Sequence, residues 1–415
     1  MWRRLLERVV RTGHLVIVDA DGRTYAFGDG SGAEVRVAFR RPGLGRWLML
    51  RPDPRLGEAW MNGELDIERG ELFDFLDLLA RNYAEGRHRG WLSWLEMVEW
   101  PLRRLHQLNF ARRAQRNVAH HYDLGNSFYR LFLDSDLQYS CAYFEQPGQD
   151  IDGAQLAKKR HIAAKLALEP GMRVLDIGSG WGGLALYLAS RFDCEVTGLT
   201  LSHEQLELAT ARAREAGLAH RVRFLLQDYR EHRGSYDRIV SVGMFEHVGI
   251  NHYSTYFACV RRLLAPGGVM LLHSIGRMAG PGITSPFIRK YIFPGGYIPA
   301  LSEVLPAVEA EGLWLADVEI LRLHYAETLA AWRRRFLARR AEVKAMYDER
   351  FCRMWEYYLV ASELFFRRLD GMVFQMLLAR ERDSLPLVRD WMVETEHRLR
   401  GLDAGRPVAW HAAAE

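Results

Sequence analysis

The chain is 415 residues long, more than one domain usually holds, so two domains are the default expectation and at least one large core can form. Its 56 Lys and Arg nearly balance its 52 Asp and Glu, and the formal net charge of +4 gives no argument for nucleic acid as a partner. Four well-separated cysteines without C-x-x-C spacing suggest neither a zinc site nor a disulfide framework, and a reducing cytoplasm fits best. No apolar run approaches the roughly 18 residues of a spanning helix, and a signal peptide's long apolar region is missing from the N-terminus. A soluble or peripheral protein is expected.

Residues 1–11 place Trp2, Leu5, Leu6, Val9 and Val10 on one face of a helix and four arginines elsewhere. Such a helix either lies on anionic lipid or packs on its own domain with a solvated basic face. Residues 14–19 and 23–27 read as strands around an Asp21-Gly22 turn, with 34–40 as a third, which together predict a small antiparallel sheet. Residues 72–83 read as an amphipathic helix and 91–110 as a helical connector, so the domain boundary is placed near 111–118. That gives a small N-terminal α+β domain over 1–114, a second domain over 115–400 and a flexible tail over 401–415.

From residue 154 onward helical and strand patterns alternate, as in a doubly wound, seven-stranded, Rossmann-like α/β fold. Strands are expected near 173–177, 194–199, 222–227, 237–242 and 268–274, with 313–323 and 372–378 as a last pair that includes an antiparallel member. The stretch RVLDIGSGWGGLALYL (173–188) reads as strand, glycine turn and helix start. Its glycines satisfy a dinucleotide fingerprint, yet the next strand ends in Thr200-Leu201-Ser202 with no carboxylate to hold a nicotinamide ribose. Asp176 before the glycines and the later stretch 236–249 point to a methyltransferase binding S-adenosylmethionine. Ligands in such sheets bind beyond the strands' carboxyl ends, where Gly178, Thr200 and Asp228 converge.

Two insertions stand out. Residues 276–300, GRMAGPGITSPFIRKYIFPGGYIPA, show no helical periodicity, and loops of that length are usually functional. Residues 324–368 are helical, aromatic and basic, fit either to wall off an acyl chain or simply to pack.

The stretches HHYDLGNSFYRLFLDSDLQYSCAYF (120–144), LDIGSGWGG (175–183), TGLTLSHEQ (197–205), YDRIVSVGMFEHVG (236–249), HSIG (273–276) and FIRKYIFPGGYIP (287–299) together resemble the cyclopropane-fatty-acyl-phospholipid synthase family. The resemblance runs in order across residues 115–380. It implies transfer of the methyl carbon of S-adenosylmethionine to a cis double bond of a membrane phospholipid's acyl chain, with ring closure by loss of a proton. The implied partner is an unsaturated phospholipid, and a homodimer is allowed; the implied location is cytoplasmic, peripheral at the inner membrane face. Carried over by motif, cofactor contacts fall on Tyr139, Ser140, Gly178, Ser179, Gly180, Thr200, Leu201, Ser202, Gln205, Asp228 and Tyr229. Ser202 also suits a helix N-cap.

An alkene is a poor nucleophile, so the sulfonium methyl must be held in line with it in a dry site, and the cation formed must lose a proton to a base. The resemblance implies bicarbonate as that base, held at Cys141, Glu246, His273, Ile275 and Tyr325, with no metal. Taken singly, Cys141 reads equally as a small buried group, Glu246 as a helix-start acid and His273 as a core imidazole. One departure from the family is that YYLVAS puts Ser362, followed by Glu363, where many members carry a cysteine. Both are further candidates for the proton chemistry. Competing readings are a fatty-acyl methyltransferase leaving a methyl branch and a methyltransferase of a small amine.

Overall fold

A computed structural model describes residues 2–85 and 124–405, which fall into two compact units. The expected connector over 91–110, the boundary at 114, the motif residues 120–123 and the tail beyond 405 lie outside the described residues.

The first unit comprises residues 2–85, Gly282–Pro294 and Leu329–Gly371. Its sheet has four strands, β1 (His14–Val18), β2 (Thr24–Phe27), β3 (Glu34–Phe39) and β4 (Leu65–Arg69), in the order β2-β1-β3-β4. The expectation of an antiparallel sheet needs correction, because β3 pairs with β1 in parallel. The cause lies in the glycine-rich link after β2. At Gly28, φ is +94°, and a Cβ there would sit 2.1 Å from the Gly13 carbonyl oxygen. Only glycine allows so close a crossing, and Gly30 N–H then donates to that same carbonyl at 3.0 Å. The chain therefore passes the start of β1 and adds β3 to its far edge. Fourth strand β4 and the helices Leu44–Leu50 and Pro52–Met61 are further elements that the periodicity did not predict.

Helix Trp2–Val9 packs on its own unit. Trp2 is buried, edge-on to Tyr25 at 5.7 Å and tilted against Phe27 and Phe39 at 6.2 and 5.8 Å. Helix Leu72–Glu85 adds Leu72, Phe75, Leu76 and Leu78 to the same core, and helix Glu349–Arg368 adds Val360 and Leu364. A short helix, Pro286–Tyr291, forms within the insertion expected to lack helical structure. Pro286 suits its first position, and Ser285 accepts from Ile288 N at 3.4 Å.

The second unit comprises residues 124–281, 295–328 and 372–405. It holds the seven-stranded sheet of β5 (Arg173–Ile177), β6 (Glu195–Thr200), β7 (Val222–Leu226), β8 (Tyr236–Val242), β9 (Leu264–Arg277), β10 (Trp314–Leu321) and β11 (Gly371–Ala379), in the order β10-β11-β9-β8-β5-β6-β7. Strands β5 to β9 pair in parallel. At the far edge, Arg380 N donates to Gly268 O near the start of β9, while Phe374 meets Gly276 near its end, so β11 runs antiparallel to β9. Strand β10 is in turn antiparallel to β11.

Alternate residues of each central strand enter different cores. Leu175, Ile177, Leu199, Ile239, Met270 and Leu272 join one cluster; Val174, Val196, Val240, Val269 and Leu271 join the other. This double burial explains the continuous apolar runs and the parallel sheet they predicted. Helix Asp390–Gly405 continues past residue 401, where a tail was expected, because Asp403 accepts from Arg160 Nη1, Arg191 Nε and the Tyr187 hydroxyl at 2.8, 3.0 and 3.1 Å. Among the described residues no helix is long and apolar enough to cross a membrane.

Candidate active site

The turn after β5 folds back on the end of β6: Gly178 N and Ser179 N donate to Leu199 O at 3.0 and 2.9 Å. A cleft opens beyond these strand ends. Tyr139, Ser140, Gly178, Ser179, Gly180, Thr200, Leu201, Gln205, Asp228 and Tyr229 all line it. At Gly180, φ is +54° and a Cβ would have no atom within 4 Å, so bare backbone faces open space. Gln205 Oε1 accepts from the Thr200 hydroxyl at 2.8 Å, and Asp228 accepts from Arg230 Nε and Nη2 at 2.9 and 2.6 Å. Ser202 is absent from the lining. Its hydroxyl caps helix His203–Glu215, accepting from Gln205 N at 3.3 Å.

Several lining residues escaped the sequence reading, among them Gln138, Trp181, Gln227, Met244 and His247; Asp176 was noticed only as a family marker. Asp176 Oδ2 is buried without a hydrogen-bond partner. Burial raises its pKa to about 7, against the opposing charge of Lys158. Lys158, on helix Ile151–Lys165, is itself buried and donates to Gln138 Oε1 at 2.7 Å and Ser140 Oγ at 2.8 Å, which fixes one lip of the cleft. Burial pulls its pKa down to about 8, with Asp134 opposing.

A second group lies in the same unit. Glu246 sits in the 3-10 turn Phe245–His247 that follows β8, and its Oε1 accepts from Ile275 N on β9 at 2.7 Å. Oε2 is buried and has no partner. Burial raises the Glu246 pKa from 4.5 to about 7, the Ile275 amide pulling the other way. No cation compensates this carboxyl, so it holds its proton up to about pH 7. His273, two residues before Ile275, is buried, and its Nδ1 faces Gln375 Nε2 at 3.1 Å. Burial keeps this imidazole neutral, holding its pKa well below 6.5 with help from the charges of Lys158 and Lys165.

Cys141 is also buried, which pushes its thiol pKa up and keeps it protonated; the thiol lies 3.3 Å from Ala142 O. Ala142 N donates to Thr328 Oγ1 at 3.0 Å, and that hydroxyl donates to His324 O at 2.7 Å. These bonds tie the Cys141 segment to the first turn of helix His324–Ala338, which carries the buried Tyr325. Lys158 lies close enough to act electrostatically on Asp176, Cys141 and His273, so the cleft and the second group share one buried cation. The Ile275 amide, expected to meet an anion, is already engaged by Glu246.

Ser362 and Glu363 belong to the first unit. Ser362 is half-buried on helix Glu349–Arg368. Glu363 accepts from Arg333 Nε at 3.0 Å and from Arg367 Nε and Nη2 at 3.2 and 3.1 Å, which engages both carboxylate oxygens. Each of its oxygens thus faces a guanidinium group.

Comparison with known proteins gives the family. The family described as mycolic acid cyclopropane synthetase matches residues 110–376, well over half the chain. The chain belongs to this family. It is 40% identical over 348 residues to the cyclopropane-fatty-acyl-phospholipid synthase of Escherichia coli K12, covering 84% of this chain and 88% of that protein. It is 37% identical over 391 residues to the tuberculostearic acid methyltransferase UfaA1 of Mycobacterium tuberculosis, covering 91% and 90%. Among solved structures, the mycolic acid cyclopropane synthase CmaA1 complexed with SAH and CTAB superposes with a TM-score of 0.61 at 35% identity, covering 64% of this chain and 98% of that one. This family member is thus an S-adenosylmethionine-dependent methyltransferase with the seven-stranded sheet expected of one.

Proposed function

We propose that this cyclopropane synthase family member transfers a methyl carbon to a cis double bond of a phospholipid acyl chain and closes it to a cyclopropane ring. The relatives support a lipid substrate, since two of them are named for fatty-acyl chemistry. We assign the cofactor to the cleft beyond β5 and β6. Its open backbone at Gly180 and the orphaned Asp176 Oδ2 suit a large polar ligand with hydrogen atoms to donate. S-adenosylmethionine, when bound, supplies the electrophilic methyl. Tyr139, Ser140, Gln205 and Asp228 would hold and orient it.

The single observation that carries the acid–base reading is Glu246 Oε2, a buried polar atom without a partner. A bicarbonate fits beside it, because a protonated Glu246, a neutral His273 and a protonated Cys141 carry no negative charge to repel an anion, and Lys158 adds a positive one. Bicarbonate, when bound, would supply the proton acceptor for the ring-closing step. Cys141, Glu246, His273 and Tyr325 would hold it, and Glu246 Oε2–H would donate to it.

We further read the N-terminal segment to residue 114 as the lipid-associated domain, with peripheral attachment at the inner membrane face. Mass spectrometry of lipids from cells expressing the protein, with fragmentation at the modified carbons, tests the reaction. A ring is the expected product. A methyl branch would assign the chain to the branch-forming chemistry instead, and unmodified lipids with a methylated amine would overturn the lipid reading.

A further inference from the structure

A chain of polar groups, buried at Lys165, Gln375 and His161, runs across the outer strands of the seven-stranded unit, and no sequence motif predicted it. Lys165, the last residue of helix Ile151–Lys165, donates from Nζ to Gln375 Oε1 at 2.7 Å and pairs with Glu319. Gln375 and Glu319 are direct partners in the β11–β10 register. Glu319 also meets His161 Nε2 at 2.7 Å, and His161 Nδ1 meets Glu396 at 3.4 Å. Against the cost of its burial, His161 and Lys165 hold the Glu319 carboxyl down at about 2, so the carboxylate stays charged and anchors the lysine.

The donor and acceptor roles then follow in one direction. A lysine ammonium only donates, so the Gln375 atom facing Lys165 is the carbonyl oxygen. The other end of the amide, Nε2, faces His273 Nδ1 at 3.1 Å and is itself only a donor. A neutral imidazole that accepts at Nδ1 carries its proton at Nε2. We propose that Gln375, clamped by Lys165, is a positioning residue that locks His273 as the Nε2–H tautomer, so that this histidine presents a hydrogen-bond donor to the anion. The inference rests on the acid–base role assigned to His273 above. It gives a reason for burying a glutamine of β11 and the last lysine of helix Ile151–Lys165, with Gln375 only 1% exposed and Lys165 3%. It also explains how a histidine kept neutral by its surroundings still offers a proton toward an anion.

The test is a two-bond ¹⁵N–¹H correlation spectrum of the full chain labelled with ¹⁵N-histidine at pH 7, with the His273→Gln spectrum identifying the signal. The wild-type protein should show His273 protonated at Nε2 and bare at Nδ1. A wild-type signal protonated at Nδ1 overturns the proposal, and this measurement needs no further variant to fold. Gln375→Glu keeps the size of the side chain but puts a second acceptor opposite Nδ1. It should move the proton to Nδ1 or charge the ring, and lower kcat by about 10- to 100-fold, the usual scale for losing an orienting partner. Calorimetric affinity for S-adenosylmethionine should stay unchanged, which mere loosening of the fold would not give. A wild-type tautomer in Gln375→Glu overturns the proposal. So does an unchanged rate in Gln375→Glu when His273→Ala is slow; a fully active His273→Ala instead overturns the acid–base reading on which it rests.

Discussion

Glu246 and Glu363 are both withdrawn from solvent, at 8% and 1% exposure, yet their surroundings are opposite. Glu363 has two guanidinium groups on its two oxygens, whereas Glu246 has one backbone amide on Oε1 and no partner on Oε2. A buried carboxylate with a guanidinium group on each oxygen is fixed in place by its partners. One left without a cation has its pKa raised and is destabilising when ionised. Family motifs had brought both residues forward as candidates, and the partners, not the burial, separate them.

The largest effect should come from Glu246. Glu246→Ala should lower kcat by about 10²-fold or more, the scale of a positioned proton donor or acceptor, while calorimetry finds the cofactor affinity nearly intact. The same site predicts a stability change of defined sign. A folded-state pKa of about 7, raised from 4.5, means that the contribution of Glu246 is fully present below pH 4.5 and is lost as pH rises through 7. Glu246→Gln should therefore be more stable than wild type at pH 8 by about 3 kcal/mol, and equal to it near pH 4, in urea titrations. A variant that is inactive and no more stable at pH 8 would mean that the fold does not raise the pKa of Glu246 and holds its carboxylate ionised without cost.

Glu363→Ala should behave in the opposite way. Removing the carboxylate leaves Arg333 and Arg367 facing each other, and because both guanidiniums are partly solvated, at 13% and 25% exposure, we expect a loss of about 2 kcal/mol rather than the full cost of a buried unpaired charge. Measured where both variants are folded, the rate should fall for Glu246→Ala and hold for Glu363→Ala. A reversed result would return Glu363 to the proton chemistry.

This difference was hidden in the sequence because it depends on neighbours far away in the chain. Glycine turn, apolar strand runs and the Thr200 to Gln205 strand end are local signals, and they made the seven strands and most of the cleft legible. The parallel pairing of β1 with β3 was not, since it depends on Gly28 crossing Gly13. Arg333 lies 30 residues from Glu363, and Gln375 lies 102 from His273. Faint signals did exist. Lys158, His161 and Lys165 recur at helical spacing among alanines, a stripe of ionisable groups on one face, and Gln375 is the only polar side chain in MVFQMLLA.

Gly180 sharpens the comparison from the cofactor's side, because it tests the cleft without touching either carboxylate. Gly180→Val places a branched side chain where φ is +54° and where open space lies beyond the backbone. The strained backbone should cost about 1–2 kcal/mol of stability. Cofactor affinity should fall by at least about tenfold, or 1.4 kcal/mol, by calorimetric titration. Unchanged affinity in the folded variant would move the cofactor out of this cleft.

A third carboxylate, Glu58, sets the lower end of the scale, and it bears on membrane attachment. Phe287, the aromatic residue beside the basic pair Arg289 and Lys290 in the insertion 276–300, is 1% exposed and packs against Gly57 and Tyr357 within the first unit. It is therefore not offered to a membrane. Lys290 is exposed, but its Nζ donates to Glu58 Oε1 at 2.7 Å, and the Tyr291 hydroxyl meets the same oxygen at 3.0 Å. A basic residue at an anionic surface contributes about 1 kcal/mol, and a bound carboxylate cancels part of that. Lys290→Ala should accordingly weaken sedimentation with phosphatidylglycerol vesicles by less than about fivefold at low salt, under about 1 kcal/mol of attraction. Glu58→Gln should strengthen it by a similar small factor, since it frees the ammonium while leaving the helix Pro286–Tyr291 in place. Both shifts should vanish as salt shortens the reach of the charges. If Glu58→Gln weakens vesicle binding instead, the pair acts by holding the insertion in shape, and Glu58 joins Glu363 as a carboxylate kept for the fold.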